Sequence, residues 1–295
     1  MNEEVKYFAV QRANGQGYEE ICDALVVEEP LEIRLNNIPL AVVMRTPGHD
    51  FDLARGFLLT EGIFQKQSAN GPDISTKSAK EKSGPTANLG EQLEIDHARD
   101  ELGLEIPNVV NCQWPAITPA EIAGWQRHIF ASSSCGICGR ASIDRVRIEA
   151  PVLQTTWKIP FRLLQELPEK LRPHQTTFSM TGGLHAAALF SLAGDIVAWR
   201  EDVGRHNAVD KILGWAMQQE ALPLANCGLL VSGRLSFELV QKAWLGGIAL
   251  LAGISAASSL AVELADESGM TLVGFLRGDT AVIYSHPRRI HFPTR

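Results

Sequence analysis

The feature that most constrains this chain is a repeated joint in its C-terminal half. There, short apolar runs give way to helical patterns across glycines, at Gly182-Gly183, at Gly204 and at Gly233. Strands alternating with helices in this way predict an α/β fold with a three-layer domain. The pattern predicts helices over 161–171, 205–219 and from near Ser236, with a further helical patch over 185–189. It predicts strands over 177–181, 228–231, 271–276 and 281–285, and a strand pair around Leu192 and 196–199 turning at Gly194-Asp195. The apolar stretch Trp244–Ala257, broken by glycines, reads as a buried helix or turn.

The N-terminal half reads as a smaller α+β unit. Two strand-like runs, 31–35 and 40–45, flank Asn36-Asn37, a pair that tolerates positive φ and so predicts a tight hairpin. Asp50 reads as the cap of a helix over 50–61, and a strand over 108–112 and a helix over 119–130 follow. Between them, residues 65–89 are rich in Ser, Lys, Gly, Asn and Pro and read as a surface insertion. At about 150 residues per domain, 295 residues predict two domains, placed at 1–140 and 141–295.

Composition narrows the function. A net charge of −7 argues against a general nucleic-acid binder, yet leaves room for one anionic small ligand on a local arginine cluster. No stretch approaches the roughly 20 apolar residues of a membrane span, and the acidic start Met1-Asn2-Glu3-Glu4 does not read as a signal peptide, so a cytoplasmic protein is expected. Five sparse cysteines then read as buried, metal-binding or catalytic rather than as a disulfide framework.

Two of those cysteines form Cys135-Gly136-Ile137-Cys138, preceded by three serines and followed by Gly139-Arg140. A two-residue spacer brings two sulfurs to one point, as disulfide exchange, metal chelation and sulfur relay all require. Structural zinc would need two further ligands at matching spacing, which the sequence does not offer, and no metal is expected. In Glu201-Asp202-Val203-Gly204-Arg205-His206, Asp202 can cap the next helix while Arg205 and His206 offer donors to an anion. Asp210 lies one turn on, placed to orient His206; an ordinary cap with a solvated i, i+4 pair is the plain alternative. Gly182 and Gly183 either admit a ligand to the backbone or simply turn the chain, and His185 reads more readily as a core histidine than as a ligand contact. Ser232-Gly233-Arg234 repeats the strand–glycine–helix form, placing ligand-contacting loops at one sheet edge.

Taken together, these motifs closely resemble the FdhD family of formate dehydrogenase accessory sulfurtransferases. The resemblance rests on 133–139, 181–185, 201–208 and 232–234, with Met44-Arg45-Thr46-Pro47-Gly48 and Gly56–Gly62 near the start. It implies transfer of sulfur, as a cysteine persulfide from a cysteine desulfurase, to the molybdenum of the bis-molybdopterin guanine dinucleotide cofactor, with GDP as a mimic of that ligand. The sulfurated cofactor then passes to formate dehydrogenase. On this resemblance Cys135 carries the persulfide and Cys138 assists or resolves. The turn Phe275-Leu276-Arg277-Gly278-Asp279-Thr280 belongs to the cofactor site, to which the reading above adds Arg205, His206, Arg234, Gly182 and Gly183. A homodimer and a C-terminal domain similar to the cytidine deaminase fold are also implied. The deaminase His-x-Glu and Cys-x-x-Cys positions read His206-Asn207-Ala208 and Ser232–Ser236 here, which removes the zinc hydrolase chemistry. A thiol–disulfide oxidoreductase and a non-catalytic cofactor chaperone are the alternatives.

Overall fold

The structure is a computed structural model that describes residues 4–64, 93–129 and 150–292. The chain opens with a hairpin of β1 (Val5–Asn14) and β2 (Gly17–Val26), followed by β3 (Glu29–Leu35), β4 (Ile38–Arg45) and α1 (Asp50–Thr60). Next come β5 (Glu94–Arg99), β6 (Glu105–Gln113), α2 (Pro119–Ile129), β7 (Ile159–Pro160), α3 (Phe161–Leu171) and α4 (Thr176–Thr181). The rest is β8 (His185–Ser191), β9 (Ile196–Asp202), α5 (Arg205–Gln218), β10 (Cys227–Val231), α6 (Phe237–Leu245), β11 (Leu250–Gly253), α7 (Ser259–Glu267), β12 (Thr271–Arg277), β13 (Thr280–Ser285) and β14 (Ile290–His291).

Six strands form the central sheet in the order β13-β12-β11-β10-β8-β9, and a second sheet runs β4-β3-β6-β5. In the central sheet β10, β11 and β12 are parallel, whereas β8, β9 and β13 run antiparallel to their neighbours. Side chains alternate across a strand, so Ala186, Ala188 and Phe190 bury against α3 through Leu164, Leu167 and Leu171. Ala187 and Leu189 belong to the other core, with α5, α6 and α7. Helices therefore pack on both faces of the central sheet, in a mixed α/β fold. The second core also takes in Leu31, Ile33 and Leu35 of β3 and Leu53 and Leu58 of α1, so one apolar interior joins the two sheets. The expected boundary at 140/141 and the 65–89 insertion lie outside the described residues.

Several local expectations hold. Asn36 and Asn37 turn the β3–β4 hairpin at φ 50° and 65°. Three do not. Residues 176–181 form a helix rather than a strand, because Glu201 accepts the Thr177 and Phe178 amides and satisfies that helix's first turn. The helical patch expected over 185–189 is instead β8, an interior strand whose alanines fit beneath helices on both faces. Within 244–257 the buried run Leu250–Gly253 is a strand, β11. Asp50 does not cap α1; His49 holds that position at φ 57°, and both Asp50 oxygens accept from Arg45 at 2.9 Å.

The two sheets are held in register where α1 crosses α5. A Cβ on Gly56 would overlap the Asp210 carbonyl, and one on Gly214 would overlap the Asp52 carbonyl. Two bare backbones therefore touch, as only glycine permits. Gly56→Ala is expected to cost about 3 kcal/mol or more of unfolding free energy, because main chain and not a pliable side chain stands in the way. Urea denaturation would check it, and a loss under about 1 kcal/mol would contradict the crossing.

Candidate functional site

Strand direction decides which loops meet. β10, β11 and β12 point their carboxyl ends to one edge of the central sheet. Because β8 is antiparallel to β10, its first residue, His185, lies at that same edge, paired with Asp202 at the end of β9. Gly182-Gly183, Gly204-Arg205-His206, Ser232-Gly233-Arg234 and the turn after Arg277 thus share one edge. Three strand spacings separate β12 from β8, about 14 Å. Ligands of open α/β sheets bind outside such carboxyl ends.

Each loop is pinned locally. Ser232 accepts the Ala186 amide at its hydroxyl and donates its own amide to the Ala186 carbonyl, both at 2.9 Å. A Cβ on Gly233 would come within 3.4 Å of His185 Nδ1 and 3.6 Å of Arg205 Cδ, so the glycine brings these two side chains beside the β10–α6 loop. Arg205 Nε is buried without a hydrogen-bond partner, and Arg234 is exposed. Across β11, Phe275 donates its amide to Ser255 at 3.0 Å and Arg277 Nε donates to the Ile254 carbonyl at 2.9 Å. A bulge between Gly274 and Arg277 throws Phe275 into the left-handed region at φ 50° and leaves its ring 41% exposed. Bulges and such non-glycine outliers collect at functional positions. Leu276, by contrast, is wholly buried in the core.

Beneath the edge lies a buried ion pair. Asp202 and Lys211 are 2.8 Å apart, with side chains 0% and 1% exposed. Asp202 Oδ2 accepts the Thr46 amide, Lys211 Nζ donates to the Thr46 carbonyl, and Asp202 Oδ1 accepts from the Gly204 amide and Asn207 Nδ2. The expected capping role is thereby corrected. Asp202 sits two residues outside Gly204, the residue at the cap position of α5, and binds the chain leading into the helix. Asp210 is also corrected as the partner of His206. It faces inward, accepting from Lys242 and Thr60 at 2.8 Å. Glu238 takes its place, with Oε2 3.1 Å from His206 Nε2, and Ser236 donates to the same carboxylate. Nothing local in the sequence marks Glu238, an acidic residue in a helix's first turn.

His185 is half-buried at the edge rather than in the core. Burial, then Arg205 and His206, hold its pKa below the usual 6.5, so it is neutral at neutral pH. Burial likewise pushes the Glu201 carboxyl up. Gly182 ends α4 in the left-handed region at φ 67°, and a Cβ on Gly183 would crowd Val26, so both glycines turn and pack the chain.

Cys135 and Cys138 lie outside the described residues. The described chain that follows, 150–157, crosses the opposite, amino edge of the parallel strands. Its Leu153 amide donates to Ser268, Trp244 Nε1 donates to Pro151, and Trp157 Nε1 donates to Ala225. Among the described cysteines, burial pushes the Cys112 thiol up to about 12 and raises Cys227 as well, while Cys22 is exposed. A cleft of about 1260 Å³, lined by Arg45, Arg55, Arg200 and the tilted Phe51–His97 ring pair, opens beside α1 and takes in none of the carboxyl-edge loops. Among the described residues no helix is long and apolar enough to cross a membrane.

A model of the FdhD/NarQ family matches residues 26–291. A Streptomyces coelicolor protein named "Sulfur carrier protein FdhD" is 46% identical over 91% of this chain and 89% of its own length. Proteins of the same name from Mycobacterium tuberculosis and Sulfolobus acidocaldarius are 45% and 40% identical, each over 91% of this chain and covered over 92% and 91% of their own lengths. A crystal structure of a Desulfotalea psychrophila protein, described as a formate dehydrogenase accessory protein, superposes with a TM-score of 0.68 at 21% identity, over 97% of this chain and 99% of that one. That likeness concerns the fold.

Two predictions follow from the edge. Lys211→Met leaves Asp202 as an unpaired buried charge and is expected to cost about 3–5 kcal/mol in urea denaturation; a loss under about 1 kcal/mol would contradict the pair. The unfolded chain binds a proton at His185 more tightly than the folded one, so stability is full above pH 6.5 and falls below it. Denaturation midpoints from about pH 7.5 down to about 5.5 should decline, and His185→Gln should flatten the decline. An unchanged slope would show that His185 is not held neutral.

Proposed function

This chain belongs to the FdhD/NarQ family, and on that footing we propose that it is a sulfur carrier in formate dehydrogenase maturation. It receives sulfur from a cysteine desulfurase and delivers it to the molybdenum cofactor, which is a substrate here. The observation that carries the reading is the alignment of nine-tenths of the chain with proteins named sulfur carriers.

The chemistry balances on the two cysteines of the sequence motif. The Cys135 thiolate attacks the outer sulfur of the donor's persulfide; the new S–S bond forms as the old one breaks, and the donor cysteine leaves as thiolate. Attack by the Cys138 thiolate on Cys135 then expels that sulfur as hydrosulfide to the acceptor and leaves a Cys135–Cys138 disulfide. The pair must be reduced by an external thiol before the next round. Cys112 and Cys227 make poor competitors, since burial keeps their thiols protonated.

The acceptor carries phosphates and guanines, and the carboxyl edge suits both. Arg205 at the start of α5, with its unpartnered Nε, and the exposed Arg234 and Arg277 offer charge and forked donors to phosphate. The neutral His185 ring offers one donor and one acceptor to a heterocycle. Phe275 presents a ring for stacking, and Gly278 and Thr280 complete its turn. In this reading the central sheet keeps a scaffold similar to the cytidine deaminases and puts a ligand edge where their metal would sit.

Incubation with a cysteine desulfurase and cysteine should add the mass of one sulfur atom to the peptide carrying Cys135. Cys135→Ala should abolish that adduct and formate dehydrogenase activity in cells while GDP binding persists. Full activity in that variant would overturn sulfur transfer and leave a cofactor chaperone. Insulin reduction without any sulfur donor would favour an oxidoreductase.

A further inference from the structure

The carboxyl edge gathers cations, yet one carboxylate is built into it. Glu238 sits in the first turn of α6, where the free amides of the helix favour a negative charge. Ser236 occupies the cap position of that helix but makes no side-chain cap bond; its hydroxyl donates to Glu238 Oε2 at 3.2 Å instead. A serine that forgoes its usual partner to hold a carboxylate fixes where that carboxylate lies. Glu238 Oε2 in turn stands 3.1 Å from His206 Nε2, a nitrogen buried from solvent that meets hydrogen-bond alignment with no described group and has this carboxylate as its close charged neighbour. The side chains of His206 and Glu238 are 21% and 16% exposed, so the pair lies at the rim rather than in the core.

Resting on the sulfur-carrier reading, we propose that Glu238 is a positioning residue, which with Ser236 fixes the His206 ring with Nε2–H toward the carboxylate and leaves Nδ1 for the guanine nucleotide portion of the ligand. A neutral imidazole has one protonated nitrogen, and the partner of one nitrogen sets the role of the other. Burial works against the Glu238 carboxylate, but the His206 contact and the Ser236 hydroxyl hold it below the usual carboxylate range, so it stays an acceptor throughout the working range of pH. Arg205 on α5 acts on Glu238, and His206 acts on His185 of β8, which also faces Arg205, Arg234 in the β10–α6 loop and Asp202 at the end of β9. Asp202 is engaged by Lys211, and the carboxylate beside the ring is that of Glu238.

The test has two readouts on the purified full chain. Nitrogen-15 NMR of the histidine rings at neutral pH should show His206 as the Nε2–H form in the native protein. Glu238→Gln should shift that ring toward a mixture of the two forms, and Glu238→Asp should leave it intermediate. Calorimetric titration with GDP should give about tenfold weaker binding for Glu238→Gln. In a double-mutant cycle, Glu238→Gln should add nothing once His206 is alanine. An unchanged His206 spectrum in Glu238→Gln overturns the positioning role, and strictly additive losses in the cycle overturn its link to the ligand. Failure of the native chain to bind GDP, with the His206 signature intact, sinks the cofactor reading and leaves the orientation of the ring standing.

Discussion

The edge where the glycine-joint loops meet depends on one buried ion pair. Asp202 ends β9 and Lys211 lies in α5, and both reach the backbone of Thr46, in the loop between β4 and α1. Removing two charges from water is costly, and this pair offsets the cost only because nearly every lone pair and proton is used. The Gly204 amide, Asn207 and Thr46 saturate the carboxylate. The start of α5, which carries Arg205 and His206, is thereby bound to the strand beneath it and to the N-terminal sheet beside it. A second buried pair, Lys242 with Asp210 and Thr60, repeats the device at the adjoining residue of the same helix. α5 is thus pinned by polar contacts at two consecutive residues and pressed against α1 by glycines.

How much of this was legible follows the range of the forces involved. The Asn36-Asn37 hairpin, α3, α5 and β10 obey local rules of turn chemistry and periodicity, and the sequence reads them closely. Thr177–Thr181 looks like a strand from its β-branched residues, and is a helix because a carboxylate 24 residues away takes up its amides. Ala186-Ala187-Ala188-Leu189 has high helix propensity, and is a strand because the space beneath flanking helices demands small side chains. The β1–β2 hairpin is exposed on both faces, with Tyr7 and Tyr18 67% and 72% exposed, so it carries no alternation to detect.

The site divides in the same way. Arg205, Gly233 and the Phe275–Thr280 turn stand out because glycine and charge cluster at chain reversals. Their meeting at a single edge depends on strand order and direction, which local sequence does not encode. Glu238 escapes for the same reason: its importance lies in a histidine thirty-two positions earlier in the chain. Asp210, four residues beyond His206 in sequence, has its carboxylate taken up by Thr60 and Lys242 instead.

The inaccessible thiol of Cys112 has a use beyond packing. Its position in β6, shielded on all sides and with ionisation suppressed, makes it silent toward alkylating reagents while the interior is closed. The exposed Cys22 sits on the β1–β2 hairpin, open to such reagents. One polypeptide therefore carries an open channel and a sealed one for the same probe. Their ratio during pulse labelling separates breathing of the periphery from cooperative opening of the shared interior.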